Sequence, residues 1–552
     1  MVMHQIIECV PNFSEGNDLN LIEQITGEIE KVEGVKLLNV DPGKATNRTV
    51  VTFVGSPDAV VAAAFQAIKK AGELIDMRKH RGEHPRMGAT DVCPLIPIAG
   101  ISMEETARYA QELAQKVGEE LQIPVYLYEA AQQNKDRSNL SVIRAGEYEG
   151  FFEKIKLSGW RPDFGPADFD AKRGATVIGA RDFLVAYNVN LNTTSVRRAN
   201  AIAFDVREAG RTLSENGKSV QVPGTLKSVK AIGWFIEEYG IAQISMNLTN
   251  IQVTPVHLAF DEVCRKAEAR GIRVTGSELV GLIPLNAMLD AGKYFLRKQE
   301  RSVGVSEKEL IRIAVRSMGL DELAPFIPEE RIIEYMLKDK SGNKLVSMNL
   351  ADFADETASE SPAPGGGSIS AYLGALGAAL ATMVANLSSH KKGWDHRWEE
   401  FSNWAEQGQR FKNELTRLVD SDTQAFNGMM TALALPKATE EEKAMRTKAI
   451  QEATKLAIEI PFAVMHSAFA SMELIKAMAE TGNPNSVSDA GVAALCARSA
   501  VMGAFMNVRI NAAGYAHKGF VDHLVAQGRE IEEKAISMET GILKIVNEKI
   551  GL

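Results

Sequence analysis

Residues 365–389 read GGGSISAYLGALGAALATMVANLSS, a run without a single charge. Its larger side chains, Leu373, Leu376, Leu380, Met383, Val384 and Leu387, recur at steps of three and four, which is the stripe of a helix. Gly374, Ala378 and Ala381 between them let neighbouring helices come close. Ala and Gly dominate over Leu and Ile, so the stretch reads as a buried bundle helix and not as a membrane span. Just upstream, Ser361-Pro362-Ala363-Pro364 cannot continue a helix. Gly365, Gly366, Gly367 and Ser368 therefore offer the free N–H groups of a helix start, a natural seat for an anion. The Lys that completes a P-loop is missing, which argues against a nucleotide; plain structural capping is the common alternative.

Everything after Leu350 follows the same helical period. Long apolar-periodic segments begin near Ser368, Trp398, Glu440, Ser488 and Val521, with Pro461 expected to kink one of them, and a helical bundle results. The turn Asn483 to Asp489 is expected to be capped by Ser488 or Asp489. Before the polar linker at 338–350 the pattern changes. Ile6–Val10, Val35–Val40, Thr49–Val54 and Val92–Ile98 read as strands, and helices follow the first and third. This is the β-α-β-β-α-β order of a split βαβ, ferredoxin-like unit, extended by a helix from Met103 to Leu121 and a strand at Val125–Leu127. The order repeats from Phe183: a strand to Leu191, a helix from Ser195, a hairpin around Tyr239-Gly240, a helix near Pro255–Arg270 and a strand at Ile272–Thr275. The expected division is 1–180 and 181–337 for two α/β subdomains, the second ending in a helical extension, and 351–552 for the helices. Two α/β bodies side by side make a cleft, where ligands usually bind.

At 552 residues, with 45% hydrophobic and 24% charged side chains, the chain is globular and longer than one domain. A net charge of −9 argues against a nucleic-acid partner. Met1–Val10 lacks a basic segment followed by an apolar core, so a cytoplasmic location is expected. Cys9, Cys93, Cys264 and Cys496 follow no metal-ligand spacing and are expected to be reduced.

The densest polar cluster is Arg78-Lys79-His80-Arg81-Gly82-Glu83-His84-Pro85-Arg86. Cations around two histidines lower the imidazole pKa, which keeps a ring neutral and able to act as a general base near pH 7. The same cations attract carboxylates, although a solvated loop is the bland alternative. Gly82 and Pro85 break any helix through His80 and His84, so no metal site is expected. Asp41 ends a strand of the same sheet and is placed to orient a histidine, or simply to turn the chain before Pro42-Gly43. In the helical half, Leu415, Leu418, Val419, Phe426 and Met429 share a face, and Asp422 falls on it. A carboxyl there is at least partly buried, with its pKa raised toward neutrality; a structural Asp satisfied by a neighbour is equally consistent.

Five stretches carry a family resemblance: Glu8-Cys9-Val10-Pro11-Asn12-Phe13-Ser14-Glu15-Gly16, Thr46-Asn47-Arg48-Thr49-Val50, Gly82-Glu83-His84-Pro85-Arg86-Met87-Gly88, Asp91-Val92-Cys93-Pro94 and Pro364-Gly365-Gly366-Gly367-Ser368. On these the chain resembles the formimidoyltransferase-cyclodeaminases, bifunctional folate enzymes of histidine breakdown, over nearly its whole length. The resemblance implies that His84, not His80, is the transferase histidine, with Asp41 nearby. It implies a folate-binding loop over Gly165, Pro166, Ala167, Asp168, Phe169, Asp170, Ala171, Lys172, Arg173 and Gly174, whose middle matches less well than its ends. It places the cyclodeaminase carboxylate on Asp422 and an anionic part of folate at Gly365–Ser368. The expected substrates are N-formimino-L-glutamate and tetrahydrofolate, the latter with a polyglutamate tail, and self-association is expected. Two other readings keep the front half as a formiminotransferase and make the bundle an oligomerisation scaffold or a methenyltetrahydrofolate cyclohydrolase.

Overall fold

The computed structural model describes residues 5–43, 47–82, 85–215, 218–337 and 345–551. It falls into two compact units, Met1–Ala287 with Met318–Lys338, and Met288–Ser317 with Asp339–Leu552.

The first unit contains the two expected sheets. Strand Ile6–Cys9 lies between Arg48–Gly55 and Thr90–Ala99, antiparallel to both, and Val35–Gly43 pairs outside Arg48–Gly55. Helices Leu19–Glu30 and Pro57–Leu74 supply the crossovers. Pro11 cannot donate to a ladder, so the first strand breaks there and resumes as Asn12–Phe13 between the same neighbours. Two parallel strands, Thr176–Ala180 and Val125–Glu129, widen the sheet. The second sheet joins Val229–Ile236, Ile241–Leu248, Val185–Leu191 and Val274–Val280 in that order, again the split βαβ arrangement, with helices Val196–Val206 and Val256–Glu268 as crossovers. Strand Thr176–Ala180, the hairpin Arg211–Glu215 with Lys218–Val222, and helices Leu140–Arg144 and Glu147–Lys154 add to the expected elements.

Strand alternation decides what each face carries. Ile7 and Cys9, both 0% exposed, join the helix-covered core. Cys9 Sγ lies 3.5 Å from Cys93 Sγ, so two thiols distant in sequence meet inside the sheet. Glu8 points to the opposite face, is only 3% exposed, and its pKa is pushed up to about 7 by burial, against the opposing pull of Arg181.

The second unit is helical: Gly366–Ser389, Trp398–Ala434, Glu440–Thr481, Val487–Ala512 and Lys518–Ile550. The Glu440–Thr481 helix continues through Pro461. Gly366–Ser389 is long and apolar enough to cross a membrane, and 61% of its most apolar window is buried in the protein. Small residues set the spacing, since a Cβ on Gly377 would lie 2.9 Å from the Ala493 carbonyl oxygen. Asn483 caps the turn Pro484–Ser486, so the helix there starts earlier than the expected Ser488 or Asp489 cap. The segment Met288–Ser317 is pinned to the bundle. The Gly304 carbonyl accepts from Asn386 Nδ2 at 2.9 Å and Gln409 Nε2 at 3.1 Å, and Lys293 pairs with Glu406 at 2.6 Å.

Glu8 makes a pH-dependent stability contribution with a definite sign. The folded state holds its proton to about pH 7, whereas an unfolded chain releases it near pH 4.3. The contribution is therefore complete at acid pH and lost as pH rises through 7. Glu8→Gln should raise the unfolding free energy at pH 8 by up to about 3 kcal/mol relative to the parent and change little at pH 4. Urea unfolding at the two pH values checks this; an equal change at both would contradict it.

Candidate active sites

In the first unit, Asn47 is the joint between three loops. Its backbone sits at φ 47°, its Oδ1 accepts from Gly16 N at 3.0 Å, and its Nδ2 donates to the Arg81 carbonyl at 2.8 Å. His80 completes the joint: Nε2 donates to the Asn47 carbonyl at 2.7 Å, and Nδ1 accepts from Arg86 Nε at 3.3 Å. Burial, then the Arg86 charge, holds its pKa below the usual imidazole range. With both nitrogens engaged, His80 is a neutral fastener and not a free base. His84 and Glu83 lie outside the described residues, as does Thr46. Asp41 is exposed on the edge strand, opposite Val50, and its side chain makes no hydrogen bond to another described residue.

The cations of the cluster are largely spoken for, which the sequence pattern did not indicate. Arg86 makes a fork with Glu149 at 2.9 and 2.7 Å and reaches Glu147 at 3.2 Å. Arg78 is paired with Asp76. Beneath them Asp91, fully buried, accepts from Arg48 at 3.1 Å, Arg144 at 2.6 Å and Met87 N at 3.0 Å. Glu147, Glu149 and Arg144 were not singled out from sequence; their signal was an acidic helix start just after a basic helix end, which is common on any surface.

The loop 165–174 runs against the histidine loop. Gly88 and Gly174 form a bridge, flanked by Ala89 N to Arg173 O at 2.8 Å and Ala175 N to Met87 O at 3.1 Å. A Cβ on Gly88 would fall 2.4 Å from the Ala175 oxygen, and one on Gly174 2.3 Å from the Met87 oxygen. Only glycines allow this approach. Phe169 packs against Phe152 with ring centroids 4.7 Å apart, and Asp170 bonds to Lys172 N and Arg173. Ala167 and Asp168 are left exposed. Two segments singled out separately thus share one wall.

In the second unit, Asp422 lies against the glycine-rich helix start. Ser368 Oγ donates to Asp422 Oδ2 at 2.9 Å, and the Ser368 N–H donates as well. A Cβ on Gly367 would lie 2.2 Å from Asp422 Oδ1. The carboxyl is half-buried, and burial raises its pKa while the two Ser368 bonds oppose the rise. Leu415, Leu418 and Val419 are buried as expected, but Phe426 is 36% exposed. The buried stripe opens at Asp422, where the Trp398–Ala434 helix passes the end of the Gly366–Ser389 helix that covers it. Among the described residues no three His, Cys, Asp or Glu side chains gather as metal ligands would.

The candidate sites stand on two architectures, a glycine-bridged pair of loops in an α/β unit and a carboxyl against a glycine-rich helix start in a helical one, the arrangement of a two-site enzyme. The sequence matches the families described as "Formiminotransferase domain, N-terminal subdomain" over 6–181, "Formiminotransferase domain" over 186–338 and "Formiminotransferase-cyclodeaminase" over 349–530. It is 45% identical to the formimidoyltransferase-cyclodeaminase of Rattus norvegicus, across 92% of this chain and 93% of that protein. It is 45% identical to the glutamate formimidoyltransferase of Thermoplasma acidophilum, across 53% of this chain and 92% of that protein. It is 36% identical to a methenyltetrahydrofolate cyclohydrolase of Methylorubrum extorquens, across 37% and 97%. The chain belongs to the formimidoyltransferase-cyclodeaminase family.

Because the Ser368 hydroxyl favours the charged form of Asp422, Ser368→Ala should move the Asp422 titration to still higher pH. Carboxyl carbon NMR of the labelled protein follows this directly, and a midpoint that stays put or falls would remove Ser368 from the control of Asp422.

Proposed function

We propose that the chain performs two consecutive folate reactions of histidine degradation. The first transfers the formimino group of N-formimino-L-glutamate to N5 of tetrahydrofolate. N5 attacks the amidine carbon, the bond from that carbon to the glutamate nitrogen breaks, and a neutral His84 takes the proton from N5 and returns it to the departing amine. Asp41 is assigned the orienting role beside it, and the loop Gly165–Gly174 the folate. The second reaction closes the ring. N10 attacks the formimino carbon, Asp422 relays the proton, and ammonia leaves to give 5,10-methenyltetrahydrofolate. The N–H groups at Gly365–Gly367 are assigned to an anionic part of folate, its glutamate or polyglutamate tail.

The observation that carries this reading is the near full-length identity to a bifunctional relative. Asp422 adds to it, held against a helix start with its proton affinity raised. The remaining features of the proposal are a cytoplasmic location, a homo-oligomer, and no nucleic-acid or membrane partner. The identity to a cyclohydrolase gives the helical half one competing reading, hydrolysis of methenyl-folate.

His84→Ala should lower formimino transfer by roughly a hundred- to ten-thousand-fold and leave ring closure on supplied 5-formiminotetrahydrofolate intact. Asp422→Asn should do the reverse, stopping ammonia release while transfer continues. Methenyl-folate absorbance and ammonia, followed together, separate the two steps. Ammonia release at the parental rate from Asp422→Asn would remove Asp422 from ring closure, and faster turnover of methenyl-folate than of formimino-folate would favour the cyclohydrolase.

A further inference from the structure

Two side chains, from two different helices, converge on the dipeptide Gly366-Gly367. Asp422, from Trp398–Ala434, fills the space a Cβ on Gly367 would take. Asn507, from Val487–Ala512, stands over Gly366, where a Cβ would lie 3.3 Å from its Nδ2 and 3.8 Å from its Oδ1. Consecutive Cα atoms are about 3.8 Å apart, so the carboxyl and the carboxamide flank one short piece of backbone. Gly503 makes the approach possible, because a Cβ there would meet Ser370 Oγ at 2.4 Å. Ser370 in turn is fixed by its bond to the Gly366 carbonyl at 2.7 Å.

The carboxamide is oriented. Asn507 Nδ2 donates to the Gly503 carbonyl one turn back at 2.9 Å, which leaves Oδ1 without a partner among the described residues. Asn507 is half-buried. The site therefore offers, beside the Asp422 carboxyl, a carboxamide whose oxygen is open to accept and whose nitrogen keeps a second hydrogen.

The group that leaves in ring closure can only be held there by its hydrogens. The formimino nitrogen carries N–H as the imine, as the amine of the tetrahedral adduct once N10 has bonded to carbon, and as ammonia after the carbon–nitrogen bond breaks. The proton lost by N10 passes through Asp422 to this nitrogen and makes it the amine, and a second proton, taken up from water, makes it ammonia as the carbon–nitrogen bond breaks and the methenyl cation forms. We infer that Asn507 is a substrate-binding residue of ring closure, its Oδ1 accepting an N–H of the formimino nitrogen and so holding the leaving group beside Asp422. The inference rests on the cyclodeaminase reading of the helical unit.

The test uses the full chain with Asn507→Leu, close in shape but without an acceptor, and Asn507→Asp, which keeps one. Helical circular dichroism and the thermal midpoint of each variant report that the helical unit is folded. Asn507→Leu should lower kcat/KM for ammonia release about ten- to a hundredfold, the worth of one buried hydrogen bond. Asn507→Asp, which keeps the acceptor and loses the donor, should restore most of the rate. Parental kcat/KM in Asn507→Leu, or no recovery in Asn507→Asp, overturns the inference. The parent chain, run alongside, keeps the two levels apart: if it releases no ammonia from 5-formiminotetrahydrofolate the cyclodeaminase reading itself has failed, whereas ammonia release by the parent leaves only Asn507 in question.

Discussion

The helical unit depends on a carboxyl group lying against a helix start that has no side chain to keep it away. At Gly367 even a methyl group would overlap Asp422. The absence of a Cβ lets the carboxyl reach both the hydroxyl and the N–H of Ser368. Helix starts attract negative charge through their unpaired N–H groups, so the protein itself places an acid where the sequence pattern alone suggested a seat for a ligand. Gly365 and Gly366 remain exposed beside it, and a substrate anion can use the same end of the helix.

The first unit uses the same device for a different purpose. Gly88 and Gly174 bring two loops into backbone contact, which couples the segment that follows His84 to the candidate folate loop without any side chain between them. The charges around this contact are paired internally: Arg86 with two glutamates, Asp91 with two arginines. A loop that looks cationic in sequence is thus a closed network. Removing one member leaves a buried charge unpaired, so the network holds the loop's shape more than it attracts ligands.

Both sheets and the bundle were legible because alternation and the 3.6-residue period survive in short windows: Ile6–Cys9, Val185–Leu191 and the leucines of 373–387 needed no tertiary information. Strand Thr176–Ala180 was hidden behind a turn-rich loop, and its apolar run is as short as many core fragments. The partner of Met288–Ser317 was hidden for another reason. An amphipathic helix announces that one face is covered but not by which body, and only the bonds of Gly304 and Lys293 to the bundle reveal it. Asp422 was found because a charge interrupted an apolar stripe. Asn507 was missed because an amide on a helix is unremarkable until its oxygen is seen to lack a donor.

The role proposed for Asp422 in ring closure asks one group to take a proton and give it back, and this limits what an environment can do. Full burial would keep Asp422 permanently protonated, whereas full exposure would leave it too weak a base to collect a proton from N10. The half-buried position opposes these extremes. Burial raises the pKa, and two bonds from Ser368 favour the anion, so the net shift is upward but restrained. The opening of the apolar stripe after Val419 fits the same role: the helix carries its acid to the edge of the covered region, where the helix start holds one side of the half-buried carboxyl.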